Sequence, residues 1–365
     1  MKTKNDYLST STENIISSLG SEFWNSIDRE AFQKRVPIHG HFEITPQCNL
    51  DCKMCYVHLN KTQMNNKHEL TLDQWKKIID GGMVFASISG GECLTSPYFD
   101  ELYLYLNSKG VIIFILTNGV LLSNKIKLFK QYPPALIQVS MYGYDEDSYE
   151  KVTGKRKFTV VSNAVKEAKA NGLNISIAVT TSKYLKSVYK IVRKYYQMEI
   201  GVAVSKWLIP PYSSTGRQLD EFCLSPEEQV NISGEILLAT DEAAPVPFTG
   251  VLPPPNTKGK QLCRGLKCTA GRNSFSINWQ GKMLLCVSLN EVTGEPLQED
   301  FMTAWQKTVN AADEFLIPVE CTNCSYKSVC RSCPAHHMLK GEDGHCNPDI
   351  CEEGVLLVKR GIKTI

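Results

Sequence analysis

Three cysteines near the start of the chain have a spacing that suits metal binding. Cys48, Cys52 and Cys55 form the pattern C-x3-C-x2-C. Three thiolates from one short loop can hold three irons of a 4Fe-4S cube and leave the fourth iron without a protein ligand. Such an iron offers a place for a small molecule to bind and react. The alternative is a structural zinc site, but that normally takes four protein ligands, and His58 is the only other candidate nearby.

Cysteine is concentrated again at the other end of the chain. Of 14 cysteines in 365 residues, nine lie beyond residue 262: Cys263, Cys268, Cys286, Cys321, Cys324, Cys330, Cys333, Cys346 and Cys351. Clustered cysteines form disulfides in exported proteins and hold metal where thiols stay reduced. Residues 1–36 lack the apolar segment and cleavage site of a signal peptide. We therefore expect a cytoplasmic protein whose cysteines bind metal or do chemistry.

Composition excludes several other classes of protein. Hydrophobic residues make up 42% of the chain, which is enough for a packed core and argues against disorder. Lysine and arginine number 40 against 38 acidic residues, so no basic excess points to nucleic acid. The longest strongly apolar run, Val111–Leu116, is far shorter than the roughly 20 residues of a membrane span. Neither a nucleic acid nor a membrane is an expected partner.

The chain around the first cysteines alternates short apolar runs, which suit strands, with longer stretches that suit helices. This pattern is typical of βα units and a parallel sheet, an α/β fold. The predicted strands are His41–Thr45, Val84–Ser89, Val111–Leu116, Leu136–Met141, Ile175–Val179 and Ile200–Ser205. The succession favours a partial barrel or a doubly wound sheet, in which ligands bind at the carboxyl ends of the strands.

Helix signals lie between and after these strands. Thr71 and Gln74 form a predicted capping box before an apolar face that includes Trp75. After Trp207 the chain is rich in proline and reads as a connection, with one helix expected around Pro226–Leu238.

The three-cysteine loop directly follows the first predicted strand, and here the sequence resembles the radical S-adenosylmethionine (SAM) enzymes. The resemblance implies a partial (β/α)6 TIM-like barrel, in which SAM chelates the open iron and is cleaved to a 5'-deoxyadenosyl radical that abstracts hydrogen from substrate. The residue before the third cysteine is usually aromatic in that family and lies near the adenine. Met54 stands there in this chain and Tyr56 follows the cysteine, so adenine contact by Met54 is an expectation.

Further strand ends extend the resemblance over about residues 40–215. Segment Gly90-Gly91-Glu92 resembles the family's GGE motif, whose backbone approaches the SAM amino group. The resemblance also implies polar contacts to SAM from Thr117, Asn118 and Ser140, and a carboxylate contact from Arg217. Each of these is alternatively an ordinary turn residue or, for the arginine, a solvated surface charge.

The C-terminal cysteines resemble the SPASM extension of radical SAM enzymes, which carries two auxiliary 4Fe-4S clusters. Its family order implies Cys263, Cys268, Cys286 and Cys333 for the first cluster and Cys321, Cys324, Cys330 and Cys351 for the second. Cys351 is preferred to Cys346 because the segment Asn-Pro-Asp-Ile-Cys looks like the family's terminal ligand segment. A double zinc ribbon is the alternative for these cysteines alone. With the first loop, the implied cofactors are SAM and three 4Fe-4S clusters.

Three cysteines remain outside these sets, namely Cys93, Cys223 and Cys346. A lone cysteine is usually a small buried hydrophobic residue. The alternative is a hydrogen-atom donor that quenches a substrate radical, as in the peptide epimerases of this family.

The resemblance implies an enzyme of the oxidoreductase type that matures a ribosomally made precursor peptide by forming a thioether or carbon-carbon crosslink. Peptide epimerisation and dehydrogenation of a small molecule are the alternatives. Sulfatase maturation is disfavoured, because Val287 stands after Cys286 where sulfatase-maturing members have an aspartate.

The expected organisation is an N-terminal extension over 1–36, a barrel over 37–217, a connection over 218–262 and the SPASM domain over 263–365. The residues before the first strand are too few for the leader-binding domain of many maturases. We therefore expect either a separate leader-binding protein or direct binding of the precursor. A flavodoxin or ferredoxin type of electron donor is also implied.

Overall fold

The description below rests on a computed structural model. It covers residues 22–57, 69–198, 202–207, 218–239, 249–250, 252, 262–266, 268–318, 324–330, 333 and 348–363.

The elements are labelled in chain order. The strands are β1 His39–Glu43, β2 Phe85–Ser89, β3 Ile112–Thr117, β4 Leu136–Met141, β5 Ile175–Thr180, β6 Ala203–Trp207, β7 Leu262–Arg264, β8 Ser274–Ile277, β9 Met283–Cys286, β10 Leu289–Gly294 and β11 Leu316–Pro318. The α-helices are α1 Glu22–Lys34, α2 Leu72–Ile79, α3 Phe99–Ser108, α4 Ile126–Gln131, α5 Glu146–Thr153, α6 Phe158–Ala170, α7 Tyr189–Val192, α8 Pro226–Ala239, α9 Phe301–Glu314 and α10 Pro348–Lys359. Short 3₁₀ segments lie at Cys93–Thr95, Leu122–Lys125 and Asp220–Phe222, and a π-helical turn spans Arg193–Met198.

Strands β1 to β6 are parallel neighbours in chain order, which confirms the predicted α/β partial barrel. Strand β4 has the predicted limits, and β1, β2, β3 and β5 differ from prediction by one or two residues at their ends. Strand β6 begins three residues later than predicted, at Ala203, and residues 199–201 lie outside the described ranges.

The cysteine-rich part of the chain extends the same sheet. Strand β8 pairs in parallel with β1, with Ser274 opposite His39 and Ile277 opposite Phe42. Strands β9 and β10 then continue the sheet by antiparallel pairing. The barrel and the C-terminal segment are therefore joined through backbone hydrogen bonds along the first strand, whose edge is covered.

Helix α1 closes the amino end of the barrel. Trp24 packs edge-on against Phe85 of β2 at a ring separation of 5.5 Å. Asp28 Oδ1 accepts a hydrogen bond from His39 Nε2 at 2.7 Å, and the His39 ring stacks on Phe85 at 4.6 Å. Since this end is filled with aromatic side chains, the carboxyl end is the one left for ligands.

The predicted helix signals are confirmed. Thr71 and Gln74 form the capping box of α2, and Trp75 is buried at 1% exposure. Helix α8 ends one residue beyond the predicted Pro226–Leu238. No helix within the described ranges is long and apolar enough to cross a lipid bilayer.

Candidate functional site

The two faces of the barrel strands differ in chemistry. Phe42 of β1 packs edge-on against Trp75 of α2, so this face meets the outer helices. The register places the alternate residues of β1 to β6 on the inner face. Polar side chains on that inner face are His41, Glu43, Ser87, Ser89, Gln138, Ser140, Ser176, Thr180 and Ser205.

Several of these inner side chains keep partial solvent exposure, including His41, Ser87, Gln138, Ser140 and Ser205. Parallel strands covered on both faces are normally apolar throughout. A polar and partly exposed interior therefore indicates an open cavity suited to a polar ligand, rather than a packed barrel core.

The three-cysteine loop begins at the carboxyl end of β1 and lies directly against the loop after β2. Gly91 donates its N–H to Thr45 O at 2.8 Å, and Glu92 donates to Gln47 O at 2.7 Å. A Cβ on Gly90 would lie 2.4 Å from Thr45 O, and one on Gly91 would lie 2.4 Å from Gln47 O. The two glycines are needed here because the cysteine loop passes over their backbone.

Glu92 joins the loops that follow β2 and β3. Its carboxylate accepts hydrogen bonds from Thr117 Oγ1 at 2.6 Å, Asn118 N at 2.6 Å and Leu94 N at 3.1 Å. The side chain is 1% exposed, and burial raises its pKa, although these donors oppose the shift. Glu92 thus fixes the relative position of two strand ends.

Asn118 continues this network to the cysteine loop. Its amide nitrogen donates to Asn49 Oδ1 at 2.7 Å and lies 3.7 Å from Cys48 Sγ. Leu50 N also approaches Cys48 Sγ, at 3.5 Å. The sulfur of Cys48 is therefore held by donors from both sides.

A second anchor of the loop is the end of α5. Asp51 N donates to Thr153 O at 2.9 Å, and Lys53 N donates to Val152 O at 3.2 Å. Cys52 lies between these two bonds, so its position is set by the helix.

The donor set of the loop fits an iron–sulfur cluster. Cys48, Cys52 and Cys55 are not joined in disulfides. Burial, followed by the neighbouring Cys55 and Cys48, raises the pKa of Cys52 well above its usual range. Three thiolates close together without a counter-charge repel one another, whereas a bound metal centre deprotonates its thiol ligands. Soft sulfur donors of this kind suit iron–sulfur clusters.

The remaining predicted SAM contacts have different surroundings. Met54 is 4% exposed and packs in the main core. Thr117 and Asn118 are buried in the Glu92 network, whereas Ser140 is partly exposed on the inner face. Arg217 lies outside the described residues. Direct contact of these residues with SAM stays a prediction.

A polar chain on the inner face was missing from the sequence-based prediction. His41 Nε2 and Ser89 Oγ are 2.6 Å apart, and the Tyr56 hydroxyl donates to Glu43 Oε1 at 3.2 Å. A contact between Tyr56 and Ser89 joins the two pairs. The signal was present in β1, where His39, His41 and Glu43 alternate with Gly40 and Phe42.

Burial changes the ionisation of this chain of groups. It raises the pKa of Glu43 to about 7, although the hydrogen bond from Tyr56 opposes the shift. It also lowers the pKa of His41 to about 4. Near neutral pH the His41 ring is therefore neutral, and Glu43 exchanges a proton readily.

The candidate hydrogen-atom donors have different surroundings. Cys93 is fully buried, and its thiol donates to Leu116 O at 3.4 Å. Cys223 is partly buried after β6, and its thiol contacts Leu219 O at 3.6 Å. Cys346 lies outside the described residues. The donor role stays a prediction for all three.

Two members of the first predicted auxiliary set affect the pKa of a third. Burial raises the pKa of Cys286 to about 12, and the nearby Cys333 and Cys268 add to the rise. Cys263 lies on β7, where its backbone pairs with Ile317 of β11.

The second predicted set is carried by a short turn region and by α10. A Cβ on Gly354 of α10 would lie 3.8 Å from Cys330 Cβ, and Cys351 is one turn earlier on that helix. Cys324 begins the same turn region, and Cys321 lies outside the described residues. Within the described ranges, no three His, Cys, Asp or Glu side chains converge on a single metal ion; ligands of a cube bind separate irons.

The family comparison decides the identity of the barrel part. Residues 42–184, which include the three-cysteine loop and strands β2 to β5, match the model of the Radical SAM superfamily. This part of the chain is a radical SAM domain. The domain accounts for the cluster-binding loop at the carboxyl edge of the sheet, and the family uses a 4Fe-4S cluster and SAM.

Two curated relatives carry names that refer to peptide or bacteriocin biosynthesis. The chain is 26% identical over 163 residues to the antilisterial bacteriocin subtilosin biosynthesis protein AlbA of Bacillus subtilis, covering 43% of this chain and 35% of AlbA. The radical SAM chain therefore spans about a third of the length of that relative. It is 24% identical over 300 residues to the PqqA peptide cyclase of Bradyrhizobium diazoefficiens, covering 74% of this chain and 72% of the cyclase.

Solved structures share the fold over most of the chain. SuiB of Streptococcus suis, solved with its precursor peptide SuiA, has a TM-score of 0.66 at 13% identity and covers 93% of this chain and 86% of SuiB. The structure of anSMEcpe with bound AdoMet has a TM-score of 0.62 at 15% identity and covers 89% of this chain and 98% of that chain. The similarity therefore extends beyond the radical SAM domain into the C-terminal region.

Proposed function

We propose that this radical SAM protein is a SPASM-type oxidoreductase that modifies a ribosomally made precursor peptide by forming an intramolecular thioether or carbon-carbon crosslink. The observation that carries the proposal is the three-cysteine loop at the mouth of an open, polar barrel interior. The similarity to the PqqA peptide cyclase over 74% of this chain supports a peptide substrate. SuiB, which shares the fold, was solved with a precursor peptide.

In this proposal Cys48, Cys52 and Cys55 hold the catalytic cluster. When bound, the cluster supplies the electron that cleaves SAM and so produces the radical that abstracts hydrogen. The chain's own residues hold that loop, because Glu92 and Asn118 tie it to the neighbouring strand ends. Since Glu92 and Thr117 bond to each other, we assign them to loop positioning.

In this proposal Ser140 and the backbone of Gly90 contact the bound SAM, and the contact of Arg217 with the SAM carboxylate stays a prediction outside the described residues. The inner polar chain of His41, Ser89, Tyr56 and Glu43 provides donors and acceptors that orient the bound peptide segment. Because the inner face is closed by aromatic side chains at the amino end, the peptide enters from the cysteine-loop side.

For the C-terminal region we propose two auxiliary clusters on the cysteines assigned from the SPASM resemblance. The pKa influence of Cys333 and Cys268 on Cys286 supports the first set, and the packing of Cys330 beside α10 supports the second. The proposal includes a cytoplasmic location, a flavodoxin or ferredoxin type of donor and either a separate leader-binding protein or direct precursor binding.

The test is to incubate the anaerobically prepared, reduced protein with SAM and short peptides encoded by genes beside its own. A product lighter by two hydrogens supports crosslinking, and tandem mass spectrometry locates the bond. An unchanged mass with deuterium uptake from solvent would instead show epimerisation. Cys52→Ala is the matched control and should give no product. If none of the peptides changes while a small molecule is dehydrogenated, the peptide proposal is wrong.

A further inference from the structure

Tyr149 of α5 carries a buried hydroxyl that no described residue pairs with. The side chain is 0% exposed, and its hydroxyl has no hydrogen-bond partner among the described residues. Leaving a buried hydroxyl unpaired is unfavourable, and such groups in native proteins usually have an unseen partner. The groups around Tyr149 therefore indicate where such a partner would bind.

The surroundings of Tyr149 point to the three-cysteine loop. Burial first, and then the nearby Cys52, Glu92 and Cys48, raise the pKa of Tyr149 well above its usual range. These neighbours surround the place where the cluster is held. The backbone bonds from Asp51 and Lys53 to the end of α5 keep the loop and the helix together.

A second tyrosine stands on the same side of the loop. Tyr142 packs edge-on against Tyr149 with ring centroids 6.0 Å apart. Tyr142 also lies close enough to Cys52 to favour the thiolate form of that cysteine. The turn that carries Tyr142 is tight, because a Cβ on Gly143 would lie 2.4 Å from Tyr149 N. The fold thus places two tyrosines beside one cysteine.

We propose that the Tyr149 hydroxyl donates a hydrogen bond to a sulfur of the cluster held by Cys48, Cys52 and Cys55, and that Tyr142 donates to Cys52 Sγ. This inference rests on the proposed cluster at that loop. Hydrogen bonds to cluster and ligand sulfurs are among the factors that set reduction potential. Because they favour the more negative reduced state, the two tyrosines raise the potential of this cluster.

The first test uses the metal-free full chain. Tyr149→Phe removes a hydroxyl that lacks a protein partner, so the metal-free variant should melt at the wild-type temperature or above it. Tyr103→Phe is the matched control, because Tyr103 is equally buried but donates to Tyr132 O at 2.5 Å. That control should melt at a lower temperature. A drop for Tyr149→Phe as large as that of the control would overturn the inference.

The second test uses the holoprotein and follows the electron paramagnetic resonance signal that changes when SAM is added. Tyr149→Phe and Tyr142→Phe should each shift the midpoint potential of that signal to more negative values, while Tyr103→Phe should leave it unchanged. In D2O, Tyr149→Phe should also lose an exchangeable-proton coupling to the cluster. An unchanged or more positive potential in Tyr149→Phe would contradict the inference.

The readout separates this inference from the proposed function. Peptides that stay unmodified, together with a negative shift in Tyr149→Phe, would overturn the peptide proposal and support the tuning role. Modified peptides together with an unchanged potential in Tyr149→Phe would support the peptide proposal and overturn the tuning role.

Discussion

The cysteine loop of the barrel and the cysteines of the C-terminal region obtain their positions from different interactions. Cys48 and Cys52 are fixed by hydrogen bonds to Asn118 and to the end of α5, on top of a sheet with a large apolar core. Cys268, Cys286 and Cys333 come from three separate segments beside a much smaller buried cluster.

This difference indicates two relations between metal and fold. The barrel loop is positioned by contacts that need no metal, so the cluster occupies a prepared site. Among the described residues of the C-terminal region, only a small buried cluster lies beside the cysteines, so the proposed auxiliary clusters are expected to contribute directly to the folding free energy there. Loss of the barrel cysteines is therefore expected to reduce activity, whereas loss of the C-terminal cysteines is expected to reduce both activity and local stability.

The largest expected effect separates the two regions by activity. Cys52→Ala should reduce formation of 5'-deoxyadenosine from SAM to the background level, because an open cluster needs its three thiolates. Cys324→Ala should keep part of this cleavage while losing modified peptide. Chromatographic measurement of 5'-deoxyadenosine in the reduced proteins tests the comparison. Equal cleavage in Cys52→Ala and wild type would show that the cluster is assigned to the wrong loop.

Metal removal should separate the regions by stability. After chelation of iron, amide hydrogen exchange should rise in residues 324–330 and in α10, because their ligand segments lose the metal that joins them. Strands β2 to β4 should keep their protection, since they are held by backbone bonds and the main core. Mass-spectrometric exchange before and after chelation measures both. An equal rise in amide exchange in both regions would show that they do not differ in their dependence on metal.

A glycine substitution tests whether the barrel site is prepared by packing. Gly91→Ala should lower the free energy of unfolding by about 3 kcal/mol, because the new Cβ would overlap Gln47 O in the cysteine loop. Iron content should fall with it. Gly234→Ala in α8 is the control, since the nearest atom to its Cβ is 3.8 Å away, on Ile362. Urea unfolding of both variants gives the comparison, and equal stabilities would contradict the packing account.

The smallest effect is a pH dependence on the inner face of the barrel. The pKa of Glu43 is raised from 4.5 to about 7, so the folded state binds more protons than the unfolded state between these values. Stability from this group therefore falls as pH rises from about 4.5 to 7. Glu43→Gln should remove this fall and make the protein more stable than wild type at pH 8.

The control for Glu43→Gln is the exposed Glu101→Gln of α3, which should change stability little. Urea unfolding at pH 5 and pH 8 measures both. A Glu43→Gln protein with the wild-type pH dependence would show that the carboxyl group does not titrate in this range.

Much of the barrel follows from local sequence. Strand β4, for example, lies at its predicted limits because Ile137, Val139 and Met141 alternate as buried apolar residues in a segment bounded by Pro134 and Gly143. The capping box at Thr71 is a local signal as well, and it forms as predicted. Polar residues follow several of the predicted strands, and the carboxyl ends of parallel strands lie at one edge of a sheet. The sequence therefore places the site at that edge, which is formed by the carboxyl ends of β1 to β4.

The parts that local sequence does not reveal depend on long-range contacts. Strand β8 has only four residues, and its pairing with β1 joins positions far apart in the chain. The polar chain through His41, Ser89 and Tyr56 was missed although β1 carries an alternating pattern. The partner of Tyr149 is also invisible in sequence, because burial and an unpaired hydroxyl are properties of the packed structure.

The most direct test of the account is the iron and sulfide content of anaerobically prepared protein, for wild type and for a variant with Cys48, Cys52 and Cys55 all replaced by alanine. The account predicts a brown wild-type protein with about twelve irons per chain and a variant with about four fewer, which no longer shows the SAM-sensitive signal. A colourless protein that holds zinc, or a triple variant with undiminished iron, would contradict it.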